Sequence, residues 1–354
     1  MEKIYGRFEL EGNPLSCTRY GNGHINDTYL LVTDRPHCYI LQRINHHVFR
    51  DVPALMRNLI AVTDHLRQKD DDPRHVLTLV PTLDGERYLT TGDGEFWRLY
   101  EFVTDSLCLD KPETTNDLMQ SGVAFGTFQN QLADFPAETL SETIPRFHDT
   151  PNRYTLLREA INADRMGRVK DVQYEIGFYL FHEAEAGVLM DMSRRGELPL
   201  RVTHNDTKLN NVMLDKRLRT PLCVIDLDTV MPGLVANDFG DGIRFGASTA
   251  AEDERDLSKV TMSLELFEAY AGGFLGACGK RLNQGEIETL PMGAKLMTLE
   301  CGVRFLTDYL NGDVYFHITR PEQNLDRART QMTLVKDMET KWDRMQRIIA
   351  HAAR

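Results

Sequence analysis

One set of polar residues in this chain has an order that suits the transfer of a phosphoryl group. His204, Asp206, Lys208 and Asn211 occur as H-x-D-x-K-x-x-N, and a hydrophobic run after them ends in Asp226. Asp206 could accept the proton of a substrate hydroxyl, and Lys208 could bring a positive charge to the travelling phosphate. Asn211 and Asp226 offer the hard oxygen ligands that Mg²⁺ prefers. The pattern therefore predicts Asp206 and Lys208 as catalytic residues and Asn211 and Asp226 as metal ligands.

Other acidic residues near this set are given simpler interpretations. Asp238 begins a literal Asp-Phe-Gly, the tripeptide that binds metal in protein kinases, but Asp226 at the end of an apolar strand is better placed to reach the metal. We therefore predict structural roles for Asp238 and Asp241. Asp228 shares a strand face with Asp226, so a role as ligand of a second metal stays open. His204 is expected to orient the loop by hydrogen bonds rather than to titrate.

This segment resembles the catalytic loop of the aminoglycoside phosphotransferase and choline kinase group, small-molecule kinases with a protein-kinase-like fold. Further motifs extend the resemblance, over about residues 5 to 345, to the N-acetylhexosamine 1-kinases of that group. These motifs are Gly-Asn-Gly-His-Ile-Asn-Asp-Thr-Tyr at 21–29, Tyr-Ile-Leu-Gln at 39–42, Phe-His-Asp-Thr-Pro at 147–151, residues 203–211, Asp-Phe-Gly-Asp-Gly-Ile-Arg-Phe-Gly-Ala-Ser at 238–248 and Glu-Cys-Gly-Val-Arg-Phe-Leu at 300–306.

The resemblance implies an α+β, bilobal protein-kinase-like fold. Its N-terminal β-rich lobe, residues 1–102, would bind the nucleotide. Its larger, mainly α-helical C-terminal lobe, residues 103–354, would hold the catalytic and sugar-binding residues. The implied reaction uses ATP and Mg²⁺ to phosphorylate the anomeric hydroxyl of N-acetylhexosamines such as GlcNAc or GalNAc, giving the sugar 1-phosphate and ADP.

Resemblance also implies residues that bind the sugar. His24, Arg304 and Tyr315 match sugar-binding residues of the N-acetylhexosamine 1-kinases, and Asp206 would meet the reacting hydroxyl. From the residues alone, Arg304 beside an apolar helical stripe is more simply a solvated arginine whose stem covers that stripe. A neutral sugar needs directional donors and acceptors and an apolar surface for its ring, which suits this set.

On the nucleotide side, Gly21 and Gly23 form a G-x-G turn that could lie close to phosphates or be an ordinary hairpin. The strand end near Glu101 and Val103 is expected to pair with adenine through its backbone. One departure concerns Gln42, which stands where the group usually carries a phosphate-binding lysine or arginine. The apolar-striped helix at 53–69 also offers no glutamate to pair with such a lysine.

Two alternatives stay open. The chain could be another small-alcohol kinase of the same fold, acting on homoserine, choline or an aminoglycoside. It could also be a catalytically inactive nucleotide-binding or scaffold protein. The intact set of Asp206, Asn211 and Asp226 opposes this alternative, and Gln42 leaves it open.

The composition of the chain limits which classes of binding partner are expected. The 354 residues carry a net charge of −12, which disfavours nucleic acid. We see no apolar run long enough to span a membrane and no signal peptide at the N-terminus. Six cysteines lack C-x-x-C spacing, which favours a reducing cytoplasm over a zinc site. The expected partners are thus ATP and a small-molecule sugar, and the oligomeric state is left open.

The elements that position these residues follow from periodicity and turn signals. Strands are predicted at about 15–20, 28–33, 38–44, 76–83, 86–91 and 96–103. A helix is predicted at 53–69, and the chain from residue 112 onward is expected to be mainly helical. Its long helical segments are predicted at about 153–168, 172–195, 258–276, 284–311 and 321–351. Asp149 or Thr150 is expected to cap the helix that follows them.

Overall fold

A computed structural model describes residues 1–21 and 25–354 of the chain. These residues form two compact units. The first contains residues 1–107, 138–145 and 213–231, and the second contains residues 108–137, 146–212 and 232–354.

The helices and strands are numbered in chain order. The helices are α1 Glu2–Tyr5, α2 Val52–Arg67, α3 Thr115–Gln131, α4 Thr150–Ala163, α5 Gln173–Phe181, α6 Val188–Arg194, α7 Val235–Gly246, α8 Leu264–Cys278, α9 Gln284–Asn311, α10 Gln323–Thr340 and α11 Trp342–Ala352. The strands are β1 Pro14–Arg19, β2 Asp27–Thr33, β3 Cys38–Ile44, β4 Leu89–Thr90, β5 Phe96–Glu101, β6 Ser106–Leu107, β7 Arg201–Thr203, β8 Val212–Asp215, β9 Pro221–Val224 and β10 Met231–Gly233.

An antiparallel sheet with the order β1-β2-β3-β5-β4 forms the centre of the first unit. Leu31, Leu41 and Leu99 lie on neighbouring strands and are fully buried, because alternate residues of each strand point to the same face. The register places Gln42 of β3 opposite Thr28 of β2 on one side and opposite Arg98 of β5 on the other. The three predicted strands at 15–20, 28–33 and 38–44 are confirmed.

Helix α2 follows the sheet in sequence and closely matches its predicted position. Asp51 caps its N-terminus by accepting a hydrogen bond from the Ala54 amide, and Pro53 occupies the first turn, where its missing N–H has no consequence. The predicted apolar stripe is buried, as Leu59 and Val62 at its centre show.

The segment 76–83 is not the regular strand that its apolar residues predict. It runs beside β5 and exchanges backbone hydrogen bonds there, from Val80 N to Leu99 O at 2.8 Å and from Glu101 N to Thr78 O at 3.0 Å. It makes only isolated bridges with its neighbours, because Pro81 lacks the N–H that a continuing ladder needs. The predicted strand at 86–91 is likewise reduced to β4.

Helices make up most of the second unit. The long helix α9 is almost fully buried along its apolar face, and α7 packs against it at very short range. A Cβ added to Gly240 of α7 would lie 2.3 Å from the carbonyl oxygen of Gly293 on α9, so both positions need glycine for the backbones to approach. This contact fixes α7, the helix that carries Asp238, against α9, the helix that carries Arg304.

Two predicted helices are each divided in two. The segment 172–195 forms α5 and α6, separated by a short turn and by Gly187, which stands at the N-terminus of α6. The segment 321–351 forms α10 and α11, which meet at Lys341. Helix α9 begins and ends at the predicted residues, with an Asn283 capping box at one end and the left-handed Gly312 at the other. The predicted α+β class, with an antiparallel sheet toward the N-terminus and a larger helical part, is confirmed.

Candidate functional site

The loop after β7 brings Asp206, Lys208 and Asn211 together in the second unit. Lys208 Nζ lies 2.7 Å from Asp206 Oδ1. Asn211 Nδ2 donates to Asp206 Oδ2 at 3.1 Å and to the Asp206 carbonyl at 2.8 Å. The Asp206 and Lys208 side chains keep 25% and 35% of their surface exposed, so a substrate can reach them. The prediction that these three residues form one site therefore has a matching geometry.

The charged forms of Asp206 and Lys208 stabilise one another. Burial opposes ionisation of Asp206, but the Lys208 ammonium and the Asn211 hydrogen bond still lower the pKa of Asp206. The Asp206 carboxylate in turn raises the pKa of Lys208, with a smaller contribution from Asp241. Asp206 is therefore a carboxylate at neutral pH. A carboxylate with a lowered pKa is a weak base, so it is better suited to orienting a hydroxyl than to removing its proton early.

His204 and Asp238 hold the loop from behind. Asp238 Oδ2 accepts from the His204 amide at 2.8 Å and from Gln129 Nε2 at 2.9 Å, while Oδ1 accepts from the Asn205 amide at 2.7 Å. Burial raises the pKa of Asp238 against the opposing effect of these donors. His204 is fully buried, and its Nδ1 accepts from the Asp206 amide at 3.2 Å. Both residues have the structural surroundings that the sequence predicts for them.

The first unit places Asp226 and Asp228 in different surroundings. Asp226 follows β9, has a left-handed backbone with φ 60°, and is exposed. Asp228 is buried, and both of its carboxylate oxygens accept hydrogen bonds from protein donors. Arg98 Nη1 lies 2.5 Å from Oδ1, and Arg98 Nη2 and Asn26 Nδ2 lie 2.9 and 2.6 Å from Oδ2. The arrangement favours a structural role for Asp228 over binding of a second metal.

Arg98 also forms hydrogen bonds with the side chain of Gln42. Gln42 Oε1 accepts from Arg98 Nε at 3.0 Å and from Nη2 at 2.8 Å, and Gln42 Nε2 donates to Thr28 Oγ1 at 3.0 Å. Although burial disfavours its charge, the Asp228 carboxylate holds the pKa of Arg98 above its usual value. A buried cation thus stands on β5, directly opposite the position where a lysine is missing on β3. Sequence analysis missed Arg98, although an arginine inside the apolar run Phe-Trp-Arg-Leu-Tyr was a usable signal.

The remaining predicted nucleotide residues are only partly described. Gly21 has φ 74°, the left-handed conformation that favours glycine, whereas Gly23, like the predicted sugar-binding His24, lies outside the described residues. The Glu101 amide donates to Thr78 O, and the Val103 carbonyl accepts from Ser106 Oγ at 2.7 Å. Those two backbone groups are therefore engaged by the protein itself.

Arg304 and Tyr315, the other predicted sugar residues, lie together in the second unit. The guanidinium carbon of Arg304 is 5.6, 5.8 and 5.3 Å from the ring centroids of Phe147, Tyr315 and Phe316. Tyr315 keeps 66% of its surface exposed. Phe147 and Phe316 were not predicted from the sequence. Phe147 lies in the Phe-His-Asp-Thr-Pro motif, for which the sequence predicts a helix cap but no contact with Arg304.

The capping interpretation itself is confirmed, because Asp149 accepts a hydrogen bond from the Asn152 amide at the start of α4. The loop that carries Tyr315 and Phe316 is also anchored. The buried carboxylate of Asp308 accepts from the amides of Val314, Tyr315 and Phe316, each at 2.9 Å. This one side chain sets the course of the loop beside Arg304.

Comparison with known proteins defines the class to which this fold and site belong. Residues 16–271 match the family described as APH, the phosphotransferase enzyme family, and the chain therefore belongs to that family. The predicted resemblance to the aminoglycoside phosphotransferase and choline kinase group is confirmed at this level. Among the described residues, none of the helices is both long and apolar enough to cross a membrane.

Solved structures of small-molecule kinases share the fold along nearly the whole chain. The structure of a microcompartment-associated aminopropanol kinase is 17% identical, with 98% of this chain and 97% of that chain covered and a TM-score of 0.59. An aminoglycoside phosphotransferase from Alicyclobacillus acidocaldarius subsp. acidocaldarius is 12% identical, with 99% and 96% covered and a TM-score of 0.67. An amicoumacin kinase in complex with AMP-PNP, Ca²⁺ and Ami is 13% identical, with 95% and 91% covered and a TM-score of 0.62.

Proposed function

We propose that this protein is an ATP- and Mg²⁺-dependent kinase that phosphorylates the anomeric hydroxyl of N-acetylhexosamines, releasing the sugar 1-phosphate and ADP. The single observation that carries the proposal is the arrangement of Arg304 and Tyr315. The sequence resemblance assigns both to sugar binding, and their side chains lie within reach of one another beside two further aromatic rings.

In the proposed reaction the sugar hydroxyl oxygen attacks the γ-phosphorus of ATP, and the bond from that phosphorus to the bridging oxygen of ADP breaks. Asp206 accepts a hydrogen bond from the sugar hydroxyl and so directs a lone pair of the hydroxyl oxygen at the γ-phosphorus. Asp206 then takes the hydroxyl proton as the new bond forms. Lys208, already an ammonium beside Asp206, turns to the phosphoryl oxygens as negative charge develops there. Charge on Asp206 and Lys208 is maintained by their mutual contact until the substrates bind.

We assign Asn211 and Asp226 as the residues that would hold Mg²⁺. The exposed Asp226 carboxylate and the Asn211 amide oxygen are hard ligands that fit this ion, and Asn211 uses Nδ2, not its oxygen, to bind Asp206. When bound, the metal supplies neutralisation of phosphate charge. Asn211 thereby also ties the orientation of Asp206 to that of a metal ligand.

For the nucleotide we assign residues 1–102, with Gly21 and Gly23 near the phosphates, Gln42 as a neutral hydrogen-bonding group, and the strand end at Glu101 and Val103 near the base. Residues 103–354 carry the catalytic and sugar residues. Gln42 carries no charge, and its amide oxygen already accepts hydrogen bonds from two N–H groups of a buried arginine, so it adds no positive charge near the phosphates. The proposal therefore relies on Lys208 and the metal for that charge. A cytoplasmic location agrees with six cysteines that form no disulfide bond in the described part of the chain.

The positive charge of Arg304 favours a neutral sugar over the cationic acceptors among the alternatives. A choline or an aminoglycoside carries positive charge, and the rings of Phe147, Tyr315 and Phe316 already lie around a guanidinium. The arginine would repel a second cation there. Homoserine is different, since Arg304 could bind its carboxylate, and it remains the second candidate acceptor.

The test is a panel of acceptors incubated with Mg-ATP, with the phosphate position assigned by phosphorus NMR. GlcNAc, GalNAc, glucose, homoserine, choline and an aminoglycoside are compared by kcat/KM. We expect an N-acetylhexosamine to give the highest value and a 1-phosphate as product. A higher value with homoserine, choline or an aminoglycoside, or phosphate on another hydroxyl, would reject the acceptor while leaving the family intact.

A further inference from the structure

The imidazole of His148 lies between a carboxylate and the backbone of the catalytic loop. His148 Nδ1 is 2.9 Å from Glu300 Oε1, and Nε2 is 3.1 Å from the main-chain oxygen of Asn205. Neither of these oxygens has a proton to give when Glu300 is ionised, so both ring nitrogens must donate for both contacts to form. The geometry is thus that of a doubly protonated, positively charged imidazole.

The surroundings support the charged form. The His148 side chain is 9% exposed and the Glu300 side chain is fully buried, while Glu300 Oε2 accepts from Thr150 Oγ1 at 2.7 Å. Burial disfavours the charge on His148, but Glu300 on α9 and, more weakly, Asp241 on α7 raise the pKa of His148. Despite its own burial, Glu300 has a lowered pKa because of His148 and, to a lesser extent, Arg304.

The carbonyl that His148 contacts belongs to the peptide that leads into Asp206. Asn205 adopts a left-handed backbone with φ 65°, a conformation that asparagine tolerates better than most residues other than glycine. Its amide donates to Asp238 Oδ1 at 2.7 Å, and its carbonyl accepts from His148. The two contacts hold Asn205 from both sides, one through its N–H and one through its C=O.

We propose that His148, kept as a cation by Glu300, is a positioning residue that fixes the backbone entering Asp206, and that turnover depends on its protonation. This inference rests on the role assigned above to Asp206 in phosphoryl transfer, and it holds for any acceptor. His148 acts through the Asn205 carbonyl. When the ring loses a proton, the stronger acceptor, the Glu300 carboxylate, keeps the proton on Nδ1. The lone pair of Nε2 then faces the Asn205 carbonyl, and their repulsion turns the peptide and displaces Asp206.

The sign of the pH dependence follows from the raised pKa. His148 is charged below its folded pKa, so kcat is maintained there and falls as the pH rises through it. Glu300→Gln removes the carboxylate that raises this pKa, so the alkaline fall of kcat moves to lower pH, and activity returns on acidification. His148→Gln keeps one donor but has no titrating ring, so the dependence attributed to His148 disappears.

The experiment measures kcat and KM against pH for wild type, His148→Gln and Glu300→Gln, using Mg-ATP and the best acceptor of the panel. For His148→Gln we expect kcat to fall by about tenfold or more through misplacement of Asp206, with the KM for ATP little changed. A second measurement needs no substrate. Nitrogen-15 NMR of the imidazole should show both His148 nitrogens protonated at pH 7 in wild type, and a lower pKa in Glu300→Gln.

His182→Gln is a matched control, because His182 is also buried and its Nδ1 lies 3.0 Å from a carboxylate oxygen of Glu185, away from the loop. It should leave the pH profile unchanged. A neutral His148 ring at pH 7, or wild-type kcat and pH profile in His148→Gln, overturns the positioning role. Asp206→Asn separates the two levels of inference. If Asp206→Asn loses turnover but His148→Gln does not, only the positioning role fails, whereas retained turnover in Asp206→Asn rejects the function assigned to Asp206.

Discussion

Replacing Asp238 and Asp226 separately by asparagine should give opposite losses, one of stability and one of metal-dependent nucleotide binding. Asp238 accepts three N–H bonds at 2.7 to 2.9 Å in a buried position. An asparagine there keeps one oxygen and turns an NH₂ group toward at least one of those donors. Asp226 is exposed in a left-handed conformation, which asparagine tolerates as well as aspartate.

The expected size for Asp238→Asn follows from these contacts. Each charge-assisted bond contributes roughly 1.5–3 kcal/mol, and a buried donor left without an acceptor costs about 1–3 kcal/mol. Part of this loss is offset because burial raises the pKa of Asp238, which shows that its charge is itself unfavourable there. We therefore expect a net loss of about 2–4 kcal/mol in the free energy of unfolding. Asp226→Asn should change stability by less than about 0.5 kcal/mol.

Two assays decide between the residues. Thermal unfolding gives Tm for both variants, and calorimetric titration gives their affinity for Mg-ATP. We expect a lower Tm with nearly normal affinity for Asp238→Asn, and a normal Tm with abolished metal-dependent binding for Asp226→Asn. The reasoning is refuted if Asp238→Asn keeps the wild-type Tm and loses Mg-ATP binding, because Asp238 would then be the metal ligand.

Three further predictions concern other residues of the site. Asp206→Asn should fold normally, as judged by Tm, and lose at least about a hundredfold in kcat, and near-normal turnover would remove Asp206 from the reaction. Arg304→Ala should raise the KM for N-acetylhexosamine severalfold while leaving the KM for ATP nearly unchanged, and a fall in ATP affinity instead would contradict the assignment. Arg98→Met should destabilise the protein by about 3–5 kcal/mol, because Asp228 would be left as a buried charge. Adding Asp228→Leu should restore part of that loss in denaturant unfolding, and an additive result would show that the two residues are not coupled.

The side-chain contacts of the loop at 204–211 could be predicted because its residues are close in sequence. Asp206, Lys208 and Asn211 lie on one short connection, so spacing alone brings their side chains together. Structural roles for His204 and Asp238 could also be inferred, since Asp226 had already been assigned to the metal. The paired strands and helix α9 followed from periodicity and end signals in the same local way.

Contacts between distant segments could not be predicted. Arg98 meets Gln42 only because the register of β3 and β5 puts them opposite each other, and register is invisible in a single strand's sequence. His148 meets Glu300 through the packing of α9, far along the chain. The strand predicted at 76–83 failed for a different reason: Pro81, which is visible in the sequence, lacks the N–H that a continuing ladder needs.

The loop held by Asp308 has a consequence for how the surface beside Arg304 could be changed by mutation. Its three anchoring bonds are made by backbone amides, so the bonds themselves do not depend on which side chains residues 314–316 carry. The exposed Tyr315 could therefore be exchanged by mutation while the main chain keeps its course, whereas Phe316 packs against Phe305. Such a loop is a favourable place for laboratory evolution, since a library at position 315 would vary the surface beside Arg304 with little risk of misfolding, whereas mutation of Asp308 would release the whole segment.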